Sequence, residues 1–222
     1  MPSDTAPDPA ARRRARTILD RLVRRYPQVR TALEYTDPWQ LLVSTVLSAQ
    51  TTDDNVNRVT PVLFVRWPTA ADLAAANPEE VEKVVFSTGF YRQKTLSIIA
   101  LSRDLVDGYG GVVPADIDAL TRLRGVGRKT ASVVLAEAFG APAIAVDTHV
   151  RRVARRLGLT TALDPEKIEA DLRALYPRAR WAGVSMRFIQ FGREVCEARR
   201  PRCWECDLRD RCPYPDKILA PG

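Results

Sequence analysis

This chain of 222 residues is poor in histidine and cysteine, and it has no apolar stretch of membrane-spanning length. Its single histidine, His149, excludes a metal site built from several imidazoles. The N-terminal segment is basic and lacks an apolar core, which argues against a secretory signal. Alternating β-branched residues are scarce, and only residues 143–146 (AIAV) resemble a strand. We therefore expect a helical protein that works in the cytoplasm.

The hydrophobic pattern predicts helices along nearly the whole chain. Residues 12–26 place apolar side chains at i, i+3 and i+4, and residues 38–48 form a nearly continuous apolar stretch typical of a buried helix. Cap residues, prolines and glycines predict further helices at 53–66, 78–85, 91–107, 128–139 and 165–176, and a last one leading to Cys196. The first ten residues, rich in proline and alanine, are expected to be disordered.

Positive charge is concentrated in three segments of a chain whose formal net charge is +7. Residues 11–30 contain eight arginines and one acid, residues 150–157 contain four arginines, and residues 197–202 contain three. A single run of this kind is usually a solvated face. Three runs together favour a polyanionic partner such as nucleic acid.

The four cysteines, Cys196, Cys203, Cys206 and Cys212, lie within 17 residues with the spacing C-x6-C-x2-C-x5-C. Two disulfides are disfavoured in a reducing cytoplasm. Zinc is an alternative, although zinc ribbons usually supply two C-x2-C pairs and this chain has one. Four thiolates also hold iron–sulfur clusters, and the spacing favours that interpretation without excluding zinc.

Residues 123–130 (LRGVGRKT) join a short helix to a longer apolar one. Two glycines around Val126 allow an unusual turn and remove side chains that would keep a phosphate away, while Val126 can anchor the turn in the core. The start of the following helix adds positive potential, so a phosphodiester can bind there without sequence specificity. An ordinary turn between helices is the alternative.

Taken together, these motifs resemble the endonuclease III family of base-excision-repair DNA glycosylases. The resemblance also includes VDTHV at 146–150, residues 41–57 and residues 87–94, and it spans about residues 12–215. It implies an all-α, two-lobed helix–hairpin–helix glycosylase fold. Residues 31–141 would form a six-helix barrel lobe, and residues 1–30 with 142–222 would form a lobe whose cysteines hold a 4Fe–4S cluster. Lys129 and Asp147 would face each other across the cleft between the lobes.

The resemblance implies a bifunctional glycosylase and abasic-site lyase that removes oxidised pyrimidines from duplex DNA. Lys129 would form a Schiff base with the sugar, and Asp147 would be the catalytic carboxylate. Without the resemblance, Lys129 would be interpreted as a phosphate contact and Asp147 as a helix cap. An adenine-type glycosylase is disfavoured because those relatives usually lack this lysine and carry an extra C-terminal domain. A catalytically silent DNA-binding module is the remaining alternative.

The resemblance also implies which residues contact DNA. Gln50 and Phe90 would enter the duplex when the damaged nucleotide leaves the stack, with a core aromatic as the alternative for Phe90. Asp53 is a pocket candidate that could equally cap a helix. The expected partner is double-stranded DNA with damaged bases or abasic sites, bound by a monomer in a bacterial nucleoid. Further contacts are expected from Gly125, Val126, Gly127, Arg128, Thr130, His149, Arg199, Arg200 and Arg202.

Overall fold

A computed structural model describes residues 7–221, and in this range the regular structure is helical, without strands. The predicted all-α class is therefore confirmed. None of these helices combines the length and apolarity needed to cross a bilayer. The α-helices are α1 (Pro9–Arg25), α2 (Pro38–Leu47), α3 (Asp53–Arg66), α4 (Ala70–Ala74), α5 (Pro78–Val85), α6 (Tyr91–Tyr109), α7 (Ile117–Arg122), α8 (Arg128–Phe139), α9 (Thr148–Arg156), α10 (Pro165–Leu175) and α11 (Val184–Glu194).

The helix boundaries follow the local capping chemistry. Thr52 caps α3 by accepting a hydrogen bond from the Asn55 amide, and Asn77 precedes a proline at the start of α5. Gly140 adopts the left-handed conformation that ends α8. The expected disorder of the first ten residues is wrong for Pro9 and Ala10, because the Asp8 side chain caps α1 one residue before a proline. Residues 1–6 lie outside the described residues.

The chain divides into two compact units. One, here called the continuous unit, is Thr31–Ala141; the other, the split unit, combines residues up to Arg30 with those from Pro142 onward. The continuous unit is built around α2, which packs against α3, α6 and α8. Eight of the ten α2 residues are buried, as expected from its apolar sequence.

The split unit brings both ends of the chain into one core. Helices α9 and α11 pack together, and α1 packs against α10 and α11. Phe188 and Phe191 of α11 are the largest fully buried side chains, and Ile18, Leu19 and Leu22 of α1 are buried with them. The cysteine loop, residues 196–212, follows α11 and contains two short 3-10 turns, Cys203–Glu205 and Arg209–Arg211.

Candidate nucleic-acid interface and cysteine loop

Helices α7 and α8 of the continuous unit are joined by a tight turn whose geometry requires glycine at one position. Gly125 has a φ of +77°, and a Cβ added there would lie 2.9 Å from the Cβ of Ser97 in α6. Both the backbone conformation and the close approach to α6 therefore exclude a side chain. Val126 is 5 % exposed and anchors the turn in the core, as expected. Its amide donates to the Leu123 carbonyl.

Gly127 differs from Gly125 because nothing in the fold requires it. Its φ is −84°, and no atom lies within 4 Å of a Cβ added to it. It is the N-cap residue of α8, and no side chain caps the start of this helix. The positive end of α8 is thus open to solvent beside a residue without a side chain, which is the arrangement that accommodates a phosphate.

Lys129 lies in this first turn of α8 and is exposed. Its neighbours Arg128 and Thr130 are half-buried. The lysine amine is therefore accessible on the same helix end as Gly127. An exposed amine at the start of a helix can reach a sugar whose phosphate is bound by that helix.

The turn is attached to α6 by a carboxylate, Asp104, which the sequence analysis missed. Asp104 accepts hydrogen bonds from the Arg124 amide at 2.9 Å and from the Arg124 guanidinium at 2.9 Å. The Arg124 guanidinium beside it holds the pKa of the Asp104 carboxyl below its usual value. No local motif marks Asp104, because it lies 20 residues before its partner.

Asp147 of the split unit begins α9 as its N-cap residue. Its Oδ1 accepts a hydrogen bond from the Val150 amide at 2.8 Å, and its Oδ2 lies 3.3 Å from Nδ1 of His149. The Asp147 side chain keeps 18 % of its surface exposed. The carboxylate is therefore held in one orientation by the helix start and still reaches solvent.

Gln50 and Phe90 share an unusual backbone. Among residues 7–221 they are the two non-glycine residues with left-handed geometry, at φ of 57° and 48°. Both side chains are exposed, and Phe90 retains 68 % of its accessible surface. Phe90 is thus not a core aromatic. Strained backbone with an exposed aromatic is typical of functional positions rather than of packing.

Asp53 lies in the first turn of α3 and is half-buried. The cap of this helix is its neighbour Thr52, whose side chain accepts the Asn55 amide. Capping therefore does not account for Asp53, and its role as a pocket residue stays a prediction.

The four cysteines of the loop are free thiols, each half-buried. The Leu208 amide donates to Sγ of Cys206 at 3.4 Å, and Nη1 of Arg156 lies 3.6 Å from Sγ of Cys196. Burial raises the pKa of the Cys206 thiol to about 11, and nearby cysteines add to this shift. Thiolates here need compensating positive charge. Within residues 7–221, no three Cys, His, Asp or Glu side chains are grouped closely enough to bind a single metal ion.

Arginines of the charged segments hold the cysteine loop in place. Arg156 donates to the carbonyls of Glu197 at 2.6 Å and Ala198 at 2.8 Å, and Arg152 donates to the Cys196 carbonyl at 3.0 Å. From α1, the guanidinium of Arg21 pairs with Asp210. The interpretation of these charged segments as a nucleic-acid surface is therefore incomplete, because several of their arginines are structural.

The arginines within the loop also divide into two kinds. Arg199 and Arg200 are exposed. Arg202 instead donates to the Glu194 carbonyl at 2.9 Å and pairs with Glu205 at 3.1 Å. The first two are thus available to a partner, while Arg202 stabilises the loop itself.

Comparison with known proteins identifies the class of this molecule. Residues 43–178 match the family model described as HhH-GPD superfamily base excision DNA repair protein, which is more than half of the chain. The endonuclease III of Synechocystis sp. is 49 % identical over 203 residues, covering 91 % of this chain and 93 % of the relative.

Two solved structures have the same fold. One is a trapped covalent intermediate of endonuclease III with DNA, an estranged-adenine complex, and the other is a non-covalent endonuclease III–DNA complex. Each is 43 % identical to this chain and superposes on it with a TM-score of 0.87. Each match covers 91 % of this chain, and it covers 96 % of the first solved chain and 95 % of the second. The chain belongs to the endonuclease III family.

Proposed function

We propose that this protein is a bifunctional DNA N-glycosylase and abasic-site lyase that removes oxidised pyrimidines from duplex DNA. The observation that carries the proposal is an exposed lysine in the uncapped first turn of α8, in a chain similar to an endonuclease III trapped covalently on DNA. As a base-excision-repair enzyme, it would work on the chromosome in the bacterial nucleoid.

The nucleophile in this proposal is Nζ of Lys129. Its lone pair forms a bond to C1′ of the damaged nucleotide, and the C1′–N glycosidic bond breaks as the base leaves. Loss of the amine protons and opening of the sugar ring give an imine. The imine acidifies the C2′ proton, and its removal expels the 3′ phosphate by β-elimination, which cuts the strand.

Asp147 is the carboxylate partner in the same reaction. The hydrogen bond from the Val150 amide at the start of α9 keeps this carboxylate oriented. A carboxylate near C1′ stabilises the positive charge that develops as the base departs, and it can accept a proton from the attacking amine. Capping and catalysis are compatible uses of the same oxygen atoms.

The exposed groups of the continuous unit are suited to holding and opening the duplex. We propose that the open start of α8, with Gly125, Gly127 and the adjoining Arg128 and Thr130, binds a phosphate of the damaged strand. Gln50 would then hydrogen-bond the base left without a partner, and Phe90 would wedge between neighbouring bases. His149 and the exposed loop arginines would contact further phosphates.

In this scheme Thr31–Ala141 is the six-helix barrel lobe, and the split unit is the lobe that carries the cluster.

We propose that Cys196, Cys203, Cys206 and Cys212 hold a 4Fe–4S cluster. A four-iron cluster is compatible with cysteines that are not grouped around a single ion, because each thiolate then binds a different iron. The amide and guanidinium donors beside Cys206 and Cys196 suit thiolate ligands. When bound, the cluster supplies a rigid cross-link of the loop, so that Arg199 and Arg200 are presented at fixed positions.

Borohydride trapping on a duplex with an abasic site tests the proposal. The wild-type protein should form a covalent adduct, and Lys129→Gln should form none while binding the duplex with similar affinity. Lys167→Gln, which removes an exposed lysine of α10, is the matched control and should trap normally. Tight duplex binding by the wild-type protein without any adduct would instead indicate a catalytically silent module.

A further inference from the structure

The two left-handed residues, Gln50 and Phe90, are in loops that a single buried lysine connects. Gln50 lies in the turn that follows α2, and Phe90 lies between the 3-10 turn Phe86–Thr88 and α6. Left-handed geometry costs about 1–2 kcal/mol for a residue other than glycine. Such geometry persists only where surrounding contacts enforce it.

Lys94 of α6 contacts the chain just before each of these two residues. Its side chain is almost completely buried, and its residue is 5 % exposed. The Nζ atom donates to the Leu47 carbonyl at 2.8 Å and to the Thr88 carbonyl at 2.7 Å. Leu47 lies three residues before Gln50, and Thr88 lies two residues before Phe90. One ammonium group therefore fixes the starting points of both loops.

The chemistry of Lys94 is unusual for a structural residue. No ion pair in the part of the chain that the structure describes includes it, so its charge is buried without a carboxylate partner. Burying an ammonium group without a counter-ion is costly, and burial lowers the pKa of Lys94 from its ordinary value. The Leu47 carbonyl at the negative end of α2 offsets part of this cost. A methionine would fill the same space without the penalty, so packing alone does not explain the lysine.

A second side chain joins the same two loops. The side-chain amide nitrogen of Asn55 in α3, Nδ2, donates to Oγ1 of Thr51 at 3.0 Å and to the Ser87 carbonyl at 2.8 Å. Thr51 follows Gln50 directly, and Ser87 lies three residues before Phe90. Lys94 and Asn55 thus hold the loops together from two helices.

We infer that Lys94 is a positioning residue, which sets Gln50 and Phe90 in the paired geometry needed to enter the duplex together. The inference rests on the proposed function, since it takes these two residues as the ones that replace the extruded nucleotide. It assigns no chemical step to Lys94, whose amine contacts only protein carbonyls in the described structure.

The test measures directly how far the base opposite the lesion leaves the stack. The duplex carries 2-aminopurine as that base and a tetrahydrofuran abasic analogue as the lesion. Lys94→Met should reduce the unstacking equilibrium by about tenfold or more, as expected for the loss of two buried hydrogen bonds. The single-turnover rate of base excision should fall with it, while binding to undamaged duplex should stay the same. Lys83→Met, which removes an exposed lysine of α5, is the control and should change neither readout.

A double-mutant cycle separates positioning from general destabilisation. Gln50→Ala combined with Phe90→Ala should lower unstacking, and adding Lys94→Met to that pair should lower it no further. An additive loss, or no loss from Lys94→Met alone, would overturn the inference while leaving the proposed glycosylase intact. If the Gln50→Ala and Phe90→Ala double variant shows normal unstacking, both this inference and the assigned role of these two residues are overturned. Borohydride trapping tests the lyase activity separately.

Asn55→Leu provides a second variant if Lys94→Met does not fold, as judged by circular dichroism. Asn55 is half-buried and its loss removes the second connection between the same loops. It should lower unstacking by a smaller factor than Lys94→Met, again without effect in the Gln50 and Phe90 double variant. An unchanged signal in Asn55→Leu would then count against the positioning of these loops by buried donors.

Discussion

The glycine turn of the continuous unit and the cysteine loop of the split unit both present backbone and basic side chains to solvent, but they are held by different means. The turn is held by its own residues and by one carboxylate of α6: Gly125 fits against α6, Val126 is buried, and Asp104 binds Arg124. The cysteine loop has few buried apolar residues, chiefly Leu208. It is held instead by arginines from helices α1 and α9, which bind its carbonyls and one of its carboxylates. A segment too polar to pack by itself needs side chains or a metal cluster from elsewhere to give it one conformation.

Removing a cysteine should have the largest effect, and it should affect the cysteine loop but not the glycine turn. If the four cysteines hold the proposed 4Fe–4S cluster, the wild-type protein should contain iron and absorb broadly in the visible range, and Cys203→Ser should lose nearly all of both, because one of the four proposed ligands is gone. Amide hydrogen exchange should then show lost protection in residues 196–212 and retained protection in α8. Lys129→Gln, with intact cysteines, should keep its iron. Loss of protection in α8 as well would show that the two regions do not order independently.

Replacing Arg156 should come next, because it leaves several carbonyls without a donor. Arg156→Met is expected to lower the free energy of unfolding by about 3 kcal/mol, since partly buried acceptors lose their partners. Arg155→Met, on the exposed side of the same helix, should change it by less than about 0.5 kcal/mol. Urea unfolding of the two variants measures the difference. Equal effects would show that Arg156 does not hold the loop.

The two glycines of the turn should differ in a way that separates fold from binding. Gly125→Ala is expected to lower the free energy of unfolding by about 2 kcal/mol, from left-handed strain and the contact with Ser97. Gly127→Ala should lower it by less than about 1 kcal/mol. It should nevertheless weaken duplex binding several-fold, because the added methyl group lies at the open start of α8. Thermal melting and fluorescence anisotropy give the two readouts, and normal duplex binding by Gly127→Ala would argue against a phosphate at this position.

The loop arginines should show the smallest effects, seen in salt dependence more than in affinity. Replacing Arg199 and Arg200 together with alanine should reduce the slope of log affinity against log salt concentration by about 2, one for each lost phosphate contact. Arg202→Ala should leave this slope unchanged and lower stability, because Arg202 contacts Glu194 and Glu205. Equal slopes for the Arg199 and Arg200 double variant and for Arg202→Ala would remove the distinction drawn between these arginines.

Several features could be predicted from local sequence because they depend on short-range chemistry. The helix starts at residues 78 and 165, the helix end at residue 139 and the buried α2 follow from neighbouring residues, and the structure confirms them. Family membership was also predictable, since its motifs are short and contiguous. The roles of Lys129, Asp147 and the cysteines remain predictions that the trapping and iron measurements will test.

Local sequence is enough to establish that this chain is helical, basic and a member of the endonuclease III family, because periodicity, charge and motifs are properties of consecutive residues. Which arginines are structural and which are exposed depends on the folded chain, since a guanidinium group can bind a partner far away in sequence, as Arg14 binds the Arg211 carbonyl 197 residues later. Tertiary contacts likewise revealed that Lys94 is buried between the loops of Gln50 and Phe90. A lysine in a helical pattern is otherwise expected at the surface, and only a buried pair of carbonyls explains its position inside.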